Sequence, residues 1–128
     1  VSVYQYAPGH NNAEGLVALD PQPMSPGLLY PLRIYAASGE VYDHGSAYTI
    51  WRYNFLTPAQ YAALLSALGL ASAVTAPITA TTITDAARTT WANYNARIVR
   101  PAHGTQAQFR RGFWRDVEFV LRELEALT

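Results

Sequence analysis

Apolar and polar positions alternate from Ala47 to Phe55, through Tyr48, Thr49, Ile50, Trp51, Arg52, Tyr53 and Asn54. A period of 2 predicts a strand with two usable faces. The pattern changes abruptly at Thr57-Pro58-Ala59-Gln60. Thr57 suits a helix N-cap, Pro58 the first helical position, and Gln60 completes a capping box. Tyr61, Leu64, Leu65 and Leu68 then share one helical face, and Gly69 is a natural stop. These residues predict one short amphipathic helix over about 58–68, entered almost without a loop from a Tyr/Trp-rich strand. Such a pattern fits a building block better than an enzyme.

The other patterned segments read as strands. Leu32–Ala37 and Val41–His44 flank a turn at Ser38-Gly39-Glu40, and Gly45 breaks the second strand before Ala47. Ala76-Pro77 separates the helix from Ile78–Thr84, a Thr-rich strand on β-branching grounds. A turn at Asp85–Arg88 leads into Thr90–Val99, with Trp91 on one face and Tyr94 on the other. Arg100–Gly112 reads as a polar loop containing Pro101 and Gly104. Residues 113–124 fit two periods. Phe113, Val117, Val120, Leu121 and Leu124 suit a helix, whereas Phe113, Arg115, Val117, Phe119 and Leu121 suit a strand. The strand is favoured because it follows a strand and would close a sheet.

Residues 1–31 differ from the rest and are expected to form an extended Pro-rich arm on a β-rich domain of residues 32–128. Pro8, Pro21, Pro23, Pro26 and Pro31, with Gly9, Gly15 and Gly27, argue against a long regular element. Short extended pieces remain open at Ser2–Tyr6 and Gly15–Leu19. The arm carries Tyr4, Tyr6, Leu16, Val17, Leu19, Met24, Leu28, Leu29 and Tyr30, too apolar for a free tail. It is expected to lie across another subunit or along the outside of its own sheet, so that its removal leaves a folded domain.

Composition narrows the choices. The chain has 128 residues, half of them apolar and 14% charged, against about 25% charged in ordinary soluble domains. Few charges to cover a small surface suggest a subunit largely enclosed by neighbours. All nine basic residues are arginine, balanced by nine acids. No net field therefore attracts nucleic acid, and a DNA contact would have to be local. With no cysteine there is neither disulfide nor thiolate metal site. No stretch reaches the roughly 18 apolar residues of a membrane helix, and the N-terminal residues lack a basic-then-apolar signal pattern. No membrane insertion is expected.

The aromatic strand, then FLTPAQYAALLSALG, then WANYNARIVRP, a polar loop and a final DVEFVLREL resemble small structural proteins of long-tailed bacteriophages. The resemblance spans Tyr48–Leu65 and Trp91–Leu127 and is to tail-tube, distal-tail and tail-tip proteins. It implies an α+β, mainly β fold: a β-sandwich or split β-barrel flanked by one short helix, here preceded by the long irregular arm. It also implies stacking as rings in a virion tail or baseplate, with assembly in the host cytoplasm. The partners implied are copies of the chain itself, other tail proteins, and DNA passing through a lumen.

Recognisable catalytic chemistry is sparse. His10, His44 and His103 lack partners at metal-ligand spacing. Asp43 and His44 are adjacent on a strand and so face opposite sides. No Gly-x-Ser-x-Gly elbow or phosphate-binding Gly loop occurs, and pairing Asp43 with Asp116 or Glu118 as glycosidase carboxylates has no motif behind it. No enzyme activity, cofactor or metal is expected. Two binding alternatives stay open. Trp51, Trp91 and Trp114, with Asn93 and Asn95 beside Trp91, could form a carbohydrate- or receptor-binding platform on a virion. Arg97, Arg100, Arg110, Arg111 and Arg115 gather around the polar loop and could touch nucleic acid or pair with a neighbour's acids. Aromatics and arginine are enriched at protein interfaces. Trp51, Trp91, Phe109, Arg110, Arg111, Tyr4 and Tyr6 are accordingly the expected subunit contacts.

Overall fold

The computed structural model describes residues 3–30, 32–85, 87–101 and 108–127, with the backbone alone at 32–33, 42–44 and 108–110. Among them are nine strands and one α-helix. In chain order they are β1 (Gln5–Pro8), β2 (Val17–Ala18), β3 (Leu32–Tyr35), β4 (Val41–His44), β5 (Ala47–Leu56), α1 (Pro58–Ala67), β6 (Thr75–Ile83), β7 (Trp91–Val99), β8 (Gln108–Arg110) and β9 (Phe113–Ala126). The protein is mainly β, built on one seven-stranded antiparallel sheet in the order β2-β1-β6-β7-β9-β5, with β8 pairing with the first residues of β9, before the stretch that pairs with β7. Strands β3 and β4 form a separate two-stranded hairpin.

The alternation in β5 sorts its side chains as expected. Thr49, Trp51 and Tyr53 are buried, while Tyr48 and Ile50 are half-buried and Arg52 and Asn54 exposed on the other face. The buried row meets Val117, Phe119 and Leu121 of β9 in register, so 113–126 is a strand and not a helix. The sheet curls on itself. Trp51 on β5 donates its indole N–H to Thr82 Oγ1 on β6 at 3.1 Å, although β9 and β7 lie between those strands in the ladder. The Tyr4 ring, beside β1, meets Trp51 edge-on at 6.0 Å and Trp91 of β7 at 4.8 Å.

Helix α1 starts and stops as its sequence dictates. Thr57 Oγ1 accepts from the Gln60 backbone N–H, and Gln60 Oε1 accepts from that of Thr57, which closes the capping box. At the other end Leu70 N–H donates to Leu65 C=O at 2.8 Å and Gly69 N–H to Ser66 C=O, around Gly69 at φ +78°. This is a Schellman stop, and buried Leu70 provides its apolar cover. Tyr61, Leu64, Leu65 and Leu68 are buried, with Tyr61 against Trp114 of β9 at 4.8 Å between ring centres.

Three expectations need correction. Pro77 does not divide helix from strand but lies inside β6. Its C=O accepts from Gly9 N–H at 3.1 Å, so its backbone nitrogen points to the β1 side and not to the β7 ladder. The missing N–H thus breaks no bond to β7. The loop at 100–112 is shortened by β8, whose two-residue turn to β9, Arg111-Gly112, has φ of +52° and +80°. That is the sign pattern of a type I′ hairpin turn.

The third correction concerns the arm. It does not only lie along the outside of its sheet: β1 pairs with β6 over Gln5–Pro8, and Tyr4, Ala7 and Leu19 are buried in the common core. Residues 9–12 cover the outer face of β6 and β7. There Thr79 Oγ1 donates to Gly9 C=O at 2.8 Å and accepts from Asn12 N–H, and Asn11 and Asn95 bond to each other twice. Met24 and Leu29 then exchange backbone bonds of 2.7–2.9 Å with Arg52 and Tyr48, along the open edge of β5. Between them Gly27 adopts φ +96° and passes so close to the Asp85 backbone that a Cβ would sit 2.9 Å from its carbonyl carbon. Apolar side chains at Tyr4 and Leu19 outweigh the interruptions by Pro and Gly.

Leu65→Ala is expected to lower stability by about 2–5 kcal/mol, the range for emptying a buried leucine site, measured by denaturant unfolding. Deleting residues 1–31 is expected to abolish cooperative unfolding. A truncated chain that still melts in one sharp transition would show that the arm is dispensable.

Candidate functional site

The expected contact residues divide sharply between core and surface. Trp51 is fully buried and Tyr4 nearly so, which corrects their assignment as subunit contacts. The inward phase of β5 takes Trp51, and the curl of the sheet closes over Tyr4. Trp91 and Tyr6 are half-buried against the core. Arg111 is exposed on the β8–β9 turn. The side chains of Phe109 and Arg110 lie outside the described residues, as do the whole of His103 and the side chains of Asp43 and His44.

The described arginine side chains do not form one patch. Arg100 donates to Leu70 C=O at 3.3 Å and its backbone N–H to Val74 C=O, so it braces the segment after α1. Arg97 reaches Thr75 Oγ1 at 3.4 Å. Arg115 is exposed near Phe55 and Phe113, whose rings meet edge-on at 6.0 Å. Arg52 pairs with Asp116 at 3.5 Å and Glu118 at 3.9 Å on the outer face of β5 and β9. Both acids are therefore engaged with a cation, and such surface pairs contribute roughly 0–1 kcal/mol. His10 Nε2 lies 3.1 Å from Ala96 C=O, a bond that serves the arm. Among the described residues no group of three or more His, Asp or Glu could hold a metal, and no helix is long and apolar enough to cross a membrane.

The carbohydrate platform loses Trp51 to the core. What remains is a shallow cleft of about 230 Å³ lined by Thr81, Trp91, Ala92 and Asn93. Asn93 accepts from Thr81 Oγ1 at 2.6 Å, and Asn95 is turned toward Asn11.

Two surfaces were not legible as sites. The first is the β3–β4 hairpin, which shares no ladder with the main sheet. Tyr35 is 73% exposed and faces Val41, 50% exposed, across the two strands; Ile34 is 41% exposed. In the sequence these residues look like any buried strand, and only the absence of a covering layer distinguishes them. The second is the outer face of β5 and β9. A groove of about 580 Å³ there is lined by Ser46, Tyr48, Val120, Arg122 and Glu123. It continues toward a groove of about 420 Å³ that includes Met24, Ile50, Arg52 and Arg88. Glu123 creates its shape. The residue is left-handed at φ +56° and lies at a shift of register shared by the β5 and β7 ladders. Such a bulge inserts one residue and re-aims the side chains beside it.

Asp85 passes close to Gly27 and accepts from Arg88 N–H at its C=O at 3.2 Å. The Asp85 carboxylate accepts from Thr89 Oγ1 at 2.5 Å and from the backbone N–H groups of Thr89 and Thr90. These bonds, the Thr89 hydroxyl foremost, lower its pKa from 3.8 to about 2. Burial raises the Tyr53 hydroxyl, with Asp20 nearby adding to the effect, and that hydroxyl donates to Pro21 C=O at 2.7 Å. No protein-family model matches the chain, and neither does any curated protein or solved structure.

A lowered carboxylate pKa stabilises the folded state above the unfolded value and loses that effect as pH falls through the folded one. The Asp85 turn is therefore expected to weaken between pH 3.8 and about 2. Asp85→Asn should melt at a lower temperature near neutral pH and show a shallower acid decline through that window, read by thermal unfolding. An unchanged acid profile would remove the turn from the pH response.

Proposed function

We propose that this chain is a non-enzymatic structural subunit of a bacteriophage tail, tail tip or baseplate that assembles as a ring. The observation that carries this reading is the β3–β4 hairpin. A lone two-stranded hairpin is marginally stable in water, yet this one presents Ile34, Tyr35 and Val41 to solvent. Apolar side chains on an element detached from the sheet suit a neighbour that covers them. The low charge content and the sequence resemblance to tail proteins point the same way.

Within this reading the curled sheet is a split β-barrel flanked by α1. The Trp51–Thr82 bond spans its interior, and the segment 24–29 lies along the β5 edge and reaches Thr84, where Leu28 N–H donates at 3.2 Å. A covered edge limits uncontrolled strand pairing, so subunits join through side chains and the hairpin. Other tail proteins would bind above and below the ring. DNA would pass through the lumen without base-specific contact, and the particle would assemble in the host cytoplasm.

The half-buried Trp91 with Asn93 and Thr81 favours a second reading, a carbohydrate- or receptor-binding module on a virion. Sugar-dependent quenching of tryptophan fluorescence that disappears in Trp91→Ala would select it.

For the structural reading, sedimentation and negative-stain microscopy of the purified chain are expected to show closed rings of uniform size. A monomer at every concentration, including those of a packed particle, would sink it.

A further inference from the structure

We infer, on the reading of the chain as a carbohydrate-binding module, that the Thr81–Asn93 pair beside Trp91 binds one ring of a neutral sugar. Thr81 of β6 stands opposite Asn93 of β7, and one step along the same face Thr79 stands opposite Asn95. The same cross-strand pair, a threonine on β6 and an asparagine on β7, thus occurs twice in succession.

The first pair shows what such a pair holds. Residues 9–12 settle on it through uncharged hydrogen bonds: Thr79 Oγ1 donates to Gly9 C=O, Asn12 N–H donates to Thr79 Oγ1, and Asn11 and Asn95 bond to each other in both directions. Beside the second pair there is instead a cleft of about 230 Å³, lined by Thr81, Trp91, Ala92 and Asn93. Thr81 is buried there and fixes its neighbour. Its Oγ1 donates to Asn93 Oδ1 at 2.6 Å, with Gln5 Oε1 farther away at 3.3 Å. With its oxygen engaged, the exposed Asn93 offers its N–H2 group, which has no partner among the described residues. A donor held in this way is oriented before anything binds.

Trp91 lies two residues before Asn93 on β7 and so shares its face. Its ring is half-buried and packs on Tyr4 at 4.8 Å between centres, so it is held in place while it lines the cleft. A fixed indole beside an oriented amide donor suits a ligand with a flat apolar face and acceptor oxygens at its edge. A pyranose has both, C–H groups on the face of the ring and hydroxyls around it. No charged side chain is among the described residues that line the cleft, so nothing there offsets the charge of a sugar acid. The volume lies below the roughly 300–1,000 Å³ of ordinary ligand sites, which limits the fit to a single ring.

The test is a titration of the full chain, followed by tryptophan fluorescence. The probes are the methyl pyranosides of glucose, galactose and mannose, with glucuronic acid and N-acetylneuraminic acid as charged counterparts. Asn93→Asp keeps the acceptor for Thr81 and replaces the outward N–H2 with a carboxylate oxygen. The expected result is saturable quenching by a neutral glycoside, weakened about tenfold or more in Asn93→Asp, with thermal unfolding of the variant unchanged. Quenching by the sugar acids alone would overturn the inference and leave the carbohydrate reading standing. Neutral binding that Asn93→Asp leaves untouched would place the site elsewhere and overturn it as well. No quenching by any of these sugars would end both the inference and the carbohydrate reading.

Discussion

The burial of one indole ring organises this protein. Trp51 is fully enclosed, and its N–H cannot be left without an acceptor in an apolar interior, where such a group costs about 1–3 kcal/mol. Thr82 supplies the oxygen from a strand two places beyond the nearest neighbour of β5 in the ladder. That bond can form only if the sheet bends far enough to bring β6 over β5. Tyr4 stacks edge-on against the same ring, so the N-terminal residues are drawn into the curve. The ring and the curvature go together, and the curvature decides which faces stay exposed.

The arm follows from this constraint. Once β5 and β6 face each other, the sheet has exposed ladder groups on β5 and a polar outer face on β6 and β7. Residues 24–29 cover the first, and residues 9–12 satisfy Thr79 and Asn95 on the second. Gly27 permits the passage between edge and turn, because any side chain there would collide with the Asp85 backbone. Among the described residues, Ile34, Tyr35 and Val41 of the β3–β4 hairpin stay exposed, and the outer face of β5 and β9 mixes Tyr48, Ile50 and Val120 with the charges of Arg52, Asp116 and Glu118.

Local chemistry was readable in the sequence and non-local pairing was not. Thr57, Pro58, Gln60 and Gly69 specify the helix almost to the residue, because caps act within one turn. The period of 2 in β5 assigned Trp51 and Tyr53 to one face correctly, but alternation alone does not say whether that face meets core or partner. Trp51 was accordingly expected at a subunit contact. The prolines of the first 31 residues point to an extended arm ordered by contact, whereas the β1–β6 pairing depends on residues some seventy positions away. β8 went unseen because its register is set by β9 and the Arg111-Gly112 turn, not by its own three residues. Of the exposed apolar residues, Tyr35 and Val41 were legible only as strand residues.

The pairing of β1 with β6 also has a consequence in time. Gln5 finds its partner at Thr81, and Arg52 lies opposite Glu118, so the ladders join residues far apart along the chain. Folding rates fall as the mean sequence separation of contacts rises, and sheets of this kind form over milliseconds to seconds. On the ribosome the first strand emerges long before its partner and stays unpaired until β6 has been made. During that interval Tyr4, Tyr6 and Leu19 are open to other nascent chains. The chain is therefore most exposed to wrong pairing during its own synthesis, before β6 can receive β1.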